Sequence, residues 1–312
     1  MMKRILSLLC CLMLLAVPAL SLATPQPMAD ANDLPETNDG GFLPEGEEPR
    51  YYKDHQGGYW FYIDQNVRVE ITRTQTSKPL LTYYVADIVF AEGSGMYTVT
   101  YNEERPGRTN GLPQDMAERA NAVFAMSGDF YSYRVSNDRY PGHIVRDGRV
   151  LYSKSYTKQP KSTPLPNLAT IALFPSGKAE VNEAWEVTAQ EYVDRGAHTV
   201  MAFGPILIKD YELADVDVDD YNHEEPRSCI GYVEPGHFVG LLVEGRKDHS
   251  EGASLTTCAE ILYDLGCSDA LNLDGGNTAA MLFMGESVQM TNNGGIDVND
   301  RAIPDILCAG TY

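Results

Sequence analysis

The stretch Ala270-Leu271-Asn272-Leu273-Asp274-Gly275-Gly276-Asn277-Thr278 decides how this chain is read. A short, mostly apolar run of strand character ends on an aspartate, two glycines and two small polar residues. Glycine accepts positive φ and lets backbone N–H groups come close to a ligand, so the pattern predicts a carboxylate at a strand end above a cradle of amides. The plainer reading of Asp274 is that it caps its own turn, since Asp-Gly is a common turn pair. Just upstream, Ser254 is placed as the N-cap of a helix that sets Leu255, Cys258, Leu262 and Leu265 on one face. That helix stops at Gly266, a residue suited to the left-handed C′ position, and feeds the chain into the strand carrying Asp274.

Working outward, strand signals dominate. The aromatic run Tyr59-Trp60-Phe61-Tyr62 comes first, and 66–72 alternates Val67, Val69 and Ile71 against Arg68 and Glu70. Segments 80–92 and 96–101 read as two more strands joined by the turn Gly93-Ser94-Gly95. Glu234-Pro235-Gly236 separates a hairpin of 228–233 and 237–243, and Gly285-Glu286 separates another of 279–284 and 287–290. Helices are expected over 114–121 and 189–195, feeding strands over 122–127 and 199–208. Hairpins with isolated helices predict an α+β fold, a twisted, mixed and largely antiparallel sheet core with a few packed helices.

The amino terminus predicts export. Lys3 and Arg4 precede an apolar run over 5–17, and Ser21-Leu22-Ala23 is a small-x-small cleavage pattern, so 1–23 reads as a signal peptide. The run is shorter than the roughly 20 residues a membrane span needs and is broken near its end by Pro18. No membrane insertion is expected once it is removed, and the protein is expected to be secreted or held in the cell envelope. Residues 24–50 hold seven acidic residues, five prolines and one arginine. That composition predicts a disordered acidic spacer over 24–58, ahead of a single domain over 59–312.

Charge narrows the partners. Removal of Lys3 and Arg4 takes the formal charge from −20 to −22. A surface of that sign excludes nucleic acid and anionic membranes, which recruit clustered lysine and arginine. Four cysteines remain after cleavage, Cys229, Cys258, Cys267 and Cys308. They allow three pairings in an oxidising compartment, or stay as buried thiols. The run Asp215–Asp220 fails the calcium-loop template, because Asp220 stands at the sixth position and Pro226 at the twelfth. The histidines show no metal-ligand spacing, so no metal is expected, and no G-x-S-x-G elbow is present.

Further motifs surround the Asp-Gly-Gly run. Ala125-Met126-Ser127-Gly128-Asp129-Phe130-Tyr131, Gly142-His143-Ile144-Val145-Arg146-Asp147-Gly148, Ala202-Phe203-Gly204-Pro205-Ile206-Leu207, Pro226-Arg227-Ser228-Cys229-Ile230-Gly231 and Val243-Glu244-Gly245-Arg246 follow in order, with Arg301 after the loop. Together with Asn272-Leu273-Asp274-Gly275-Gly276 they resemble the phosphodiester glycosidases over roughly residues 80 to 312. Ser127 stands where that family usually has Asn, Asn277 where a third glycine is common, and Glu244 where Asp is common; each keeps a polar group.

The resemblance implies a bacterial secreted hydrolase that removes a sugar, N-acetylglucosamine foremost, from a sugar-1-phosphodiester or phosphoglycan. The glycosidase scheme it implies requires no cofactor. Asp274 is the expected catalytic carboxylate, with Glu244 and Asp129 as candidates for the second. Guanidinium groups match phosphate oxygens bidentately, so Arg227, Arg246 and Arg301 form the expected clamp. Asn272, Gly275, Gly276, Asn277, Thr278, Ser127, Gly204 and His143 complete the expected substrate contacts. Two other classes compete: a metal-dependent phosphodiesterase, and a non-catalytic glycan-binding protein of the envelope with the same fold.

Overall fold

Period-two alternation builds the longest strands. In the run Val67–Ser77, Val67, Val69 and Ile71 are buried while Arg68 and Glu70 face outward. The computed structural model describes residues 24–104, 106–129, 141–155, 167–216 and 223–312. The expected signal segment, Phe130-Tyr131 of the turn motif and Asp217–Asp220 of the acidic run lie outside them.

The strands form three sheets. The ten-stranded sheet runs β1 (Gln26–Pro27), β2 (Arg50–Asp54), β3 (Tyr59–Ile63), β4 (Val67–Ser77), β5 (Leu80–Phe90), β16 (His237–Val243), β15 (Arg227–Glu234), β17 (Asp269–Asn272), β13 (Ile206–Lys209) and β14 (Glu212–Leu213). A second sheet runs β11 (Ala179–Asn182), β10 (Ala169–Leu173), β12 (Thr199–Phe203), β8 (Gly142–Arg146) and β9 (Arg149–Lys154). The third runs β19 (Glu286–Ser287), β18 (Met281–Phe283), β7 (Ala122–Ser127), β20 (Asp305–Thr311) and β6 (Tyr97–Thr100). Among the described residues only β1 and β2 pair in parallel.

All three sheets bury one face in a common core. Trp60, Tyr84 and Ile230 come from the large sheet, Ile171 and Met201 from the second, Phe124 and Phe283 from the third. Each outer face takes a helix. Helix α1 (Pro113–Arg119) covers the third sheet with Met116, and α2 (Ala189–Asp194) covers the second with Tyr192. Helix α3 (Leu255–Asp264) covers the large sheet with Leu255, Cys258 and Leu262. Burial of side chains of this size contributes about 1.5–3 kcal/mol each for the aliphatic ones, which outweighs weak helix propensity over so few turns. Ser254 Oγ accepts from Thr257 N at 3.0 Å, and Gly266 takes φ of +84° to release the chain toward β17. The chain therefore has the α+β architecture read from its hairpins and isolated helices.

Several boundaries differ from the sequence expectations. The single strand expected over 199–208 is two strands in different sheets, because Gly204 at φ +91° and Pro205 break the ladder between β12 and β13. The turn at 93–95 likewise joins two sheets, since β6 pairs with β20. The last hairpin turns at Met284-Gly285, both at positive φ, one residue before the expected pair. The acidic segment is not a free spacer. Met28 N donates to Tyr51 O at 2.8 Å, Leu43 N donates to Asp64 O at 3.0 Å, and Leu43 packs on Phe61 and Ile63. Its few apolar residues fall where the sheet still has surface to cover, so β2 extends the sheet ahead of residue 59. The four cysteines are buried free thiols.

Close approaches between layers rely on missing side chains. A Cβ on Gly231 would meet Cys267 Sγ at 2.4 Å and Leu262 at 3.2 Å. Gly231→Val should therefore destabilise the fold by about 1–3 kcal/mol, whereas Gly95→Ala, with open space around it, should change stability by less than about 0.5 kcal/mol. Urea denaturation of the two variants checks this contrast.

Candidate active site

Strand β17 lies between β15 and β13, so its last residues emerge where the large sheet meets the third. Asn272 fixes that end. Its Nδ2 donates to Gly204 O at 3.0 Å, its backbone N donates to Pro205 O at 3.1 Å, and its carbonyl accepts from Gly204 N at 3.0 Å. Gly204 is required there: a Cβ would sit 2.2 Å from Asn167 Oδ1. Asn272 and Gly204, both expected to touch substrate, are thus joined to each other and buried beneath the loop.

The loop itself is tied on three sides. Leu273 N donates to Ser228 O at 2.8 Å, Asp274 N to Gly128 O at 3.4 Å, and Gly276 N to Pro226 O at 2.8 Å. Gly275 comes so close to the strand below that a Cβ would lie 2.6 Å from Pro226 O. Thr278 Oγ1 donates to Gly275 O at 2.6 Å and closes the turn. Ser127, at the end of β7, has its Oγ 3.0 Å from Ser228 Oγ and 3.2 Å from the Asp274 carbonyl. The expected cradle of amides is therefore partly committed to the protein. Among the described residues the Gly275 and Asn277 N–H groups take no hydrogen-bond partner.

The three candidate carboxylates have different surroundings. Asp274 is half-buried at the loop. Asp129 is buried, with Oδ2 accepting from Ala202 N at 3.1 Å and Oδ1 paired with Arg146. Glu244 is buried at the end of β16. Its Oε1 accepts from Met290 N at 2.7 Å and from the Tyr84 hydroxyl at 3.1 Å, and its Oε2 pairs with His249 Nε2. Lys247 Nζ stands 3.6 Å from Oε1 and also holds Asp297 at 2.5 Å and Met290 O at 2.6 Å. Glu244 so latches the 289–300 loop to the end of the strand. Together they wall a cleft of about 250 Å³ lined by Glu244, Arg246, Lys247, Gly276, Asn277 and Asn299 among others.

The expected arginine clamp separates into three environments. Arg227 is buried and donates to Ala253 O at 3.0 Å and His223 O at 2.8 Å, which ties two loops together. Arg246, at φ +59°, pairs with Glu225 at 2.6 Å and donates to Asn277 Oδ1 at 2.9 Å. Arg301 follows Asn299 and Asp300 of the cleft wall; its side chain is exposed and meets no acid among the described residues. His143 is turned away from the loop. It is buried against Ala184 and Glu191 on the α2 side of β8, the face opposite Arg146, and burial lowers its pKa below the free imidazole value. Among the described residues no three His, Cys, Asp or Glu side chains are grouped to hold a metal ion.

Sequence reading missed Lys247 and His249, although both follow the Val-Glu-Gly-Arg run within five residues. It also missed Arg146 and Asp305, which meet Asp129 only because β8 and β20 come from different sheets. No local spacing could have joined those three.

Asn272 offers a direct test of how the loop is supported. Asn272→Ala removes the donor to Gly204 O and should cost about 1–3 kcal/mol. Asn272→Asp would aim an acceptor at that carbonyl in a dry site, and should cost more than about 3 kcal/mol near neutral pH. Equilibrium unfolding of both variants reads the difference.

Comparison with known proteins converges on one family. Residues 120–309 match the phosphodiester glycosidase family model. The chain is 28% identical over 195 residues to the SPbeta prophage-derived uncharacterized protein YomE of Bacillus subtilis (strain 168); these cover 62% of this chain and 28% of that relative. Its fold is shared with the catalytic domain of zebrafish N-acetylglucosamine-1-phosphodiester alpha-N-acetylglucosaminidase auto-inhibited by its pro-peptide, at TM-score 0.59 and 15% identity, over 79% of this chain and 83% of that one. A hypothetical protein from Synechocystis gives TM-score 0.52 at 12% identity, over 86% of this chain and 64% of the other. With the family model matching well over half of its length, this chain is a member of the phosphodiester glycosidase family.

Proposed function

We propose that the protein hydrolyses the bond between a sugar's anomeric carbon and the phosphate of a sugar-1-phosphodiester, with N-acetylglucosamine the foremost sugar. One observation carries the reading: of the three candidate carboxylates, Asp274 alone is partly open to solvent, and it sits on the loop that holds the unpaired Gly275 and Asn277 amides. In the reaction the C1–O bond breaks and the phosphate monoester leaves with the bonding pair. A phosphate is a stable leaving group, so little general-acid help is needed. Asp274 assists at C1, either as nucleophile or as base taking the proton of the attacking water, whose oxygen ends on the sugar.

The remaining groups have supporting roles. Glu244, fixed by Tyr84, His249 and Met290, keeps a negative charge at the cleft floor, where it favours an oxocarbenium-like sugar. The Gly275 and Asn277 amides and the unpaired Arg301 are suited to the phosphate. Arg227 and Arg246 act from behind, by holding the loops that carry those amides. The enzyme works outside the cytoplasm, in keeping with the leader-like first 23 residues.

Incubation with a panel of aryl and uridine sugar-1-phosphodiesters should release free sugar. Asp274→Asn keeps size and hydrogen bonding but removes the charge, so turnover should fall at least about 10³-fold, on the order of 4 kcal/mol, with little change in melting temperature. An Asn variant keeping more than roughly a tenth of the rate would move the catalytic role elsewhere. Arg301→Ala should weaken transition-state binding by about 2–4 kcal/mol, read as a loss of kcat/KM on the phosphodiester.

A further inference from the structure

Beneath the loop lies a dry cluster of charge that the reaction scheme does not use. Asp129, Asp305 and Arg146 come from β7's end, β20 and β8, and the carboxylates have no exposed side-chain surface at all. Arg146 Nη2 touches both, with Asp305 Oδ2 at 2.6 Å, while its Nη1 donates to Val200 O at 2.8 Å. Among the described residues, two carboxylates on one guanidinium would leave a net negative charge out of contact with water, which costs several kcal/mol. One proton removes it. The geometry also says which acid carries that proton. Each oxygen of Asp129 accepts a donor, Arg146 or Ala202 N, whereas Asp305 Oδ1 is buried with no hydrogen-bond partner. A carboxylate without its full set of donors in a dry site costs more charged than neutral, so Asp305 is the acid of the two that carries the proton.

The cluster is also wired to the loop. Gly128 N donates to Asp305 O at 3.3 Å, and Gly128 O accepts from Asp274 N at 3.4 Å. Asp305 Oδ1 sits against Gly128 so closely that a Cβ there would be 2.5 Å away.

We propose that Asp305 is a buried neutral acid beside Asp129 under Arg146, and that this uncharged cluster is the positioning device that seats Gly128 against Asp274. Calling it positioning rests on the reading of Asp274 as the catalytic carboxylate; the protonation state does not. The charged and titratable groups facing Asp305 among the described residues are Asp129, Arg146 and, on its own strand, Cys308. Burial first, then the charge of Asp129, push Asp305 well above the usual carboxylate range against the pull of Arg146.

Infrared difference spectra and unfolding curves decide the matter without any activity assay. Wild type should show a protonated carboxylic C=O band at neutral pH that Asp305→Asn lacks; no such band overturns the proposal. The folded acid holds its proton above the unfolded value near pH 4, so protonation favours the fold most at low pH. The folding constant of wild type relative to Asp305→Asn should fall by up to about tenfold per pH unit as the pH rises from there. A ratio that is flat or grows with pH overturns the proposal, as does an Asn variant that fails to fold, since Asn is the neutral isostere. Hydrogen exchange at the Asp274 amide tests the positioning: Asp305→Ala should accelerate it and Asp305→Asn should not. Equal acceleration in both, or none in either, removes that role. A wild type inactive on every phosphodiester would instead count against the glycosidase reading, with these measurements unaffected.

Discussion

The close packing of backbone around Pro226 is the constraint on which the site depends. A Cβ on Gly275 would lie 2.6 Å from Pro226 O, one on Gly245 2.8 Å from Pro226 N, and one on Gly252 2.6 Å from Glu225 N. Three loops thus meet at Glu225-Pro226 with no side chain between them. They arrive from the start of β15, the end of β16 and the end of β17, so the sheet order alone brings them together. Backbone contact of this kind has no rotamers to adjust, which lets the amides of Gly275 and Asn277 stand at fixed positions.

Electrostatics then sort the site into layers. The groups nearest solvent are Asp274, half-buried on its loop, and the exposed Arg301. Those one step further in are each held by side-chain partners, Glu244 by His249 and Lys247, and Arg246 by Glu225. Deepest are Arg227, held by carbonyls, and the Arg146 cluster. In this strongly acidic chain, Arg301 stands beside the cleft with no acid partner among the described residues.

The glycosidase reading and the proton held at Asp305 make one picture. On the proposed reaction, Asp274 would be the charged carboxylate on the loop, with a rigid seat under it. A second full charge in that seat would be costly to bury and would oppose ionisation of the first. A neutral acid gives the same hydrogen-bonding geometry without the repulsion.

What the sequence determined by itself was local. Period-two alternation marked β4, β5 and the β15–β16 hairpin, Ser254 and Gly266 marked the ends of α3, and Asp274-Gly275-Gly276 marked a strand-end loop. These follow from steric rules within a few residues, so they can be read before folding. Tertiary structure decided whatever depends on neighbours distant in the chain. It split 199–208 between two sheets and laid the acidic segment along an edge. It turned His143 to the α2 face, tied Arg227 to the carbonyls of Ala253 and His223, and gathered Asp129, just past β7, with Arg146 of β8 and Asp305 of β20. Burial and hydrogen-bond satisfaction are properties of the packed layers. A carboxylate's role follows from what surrounds it, and for Asp129 and Glu244 those surroundings exist only once the sheets have met.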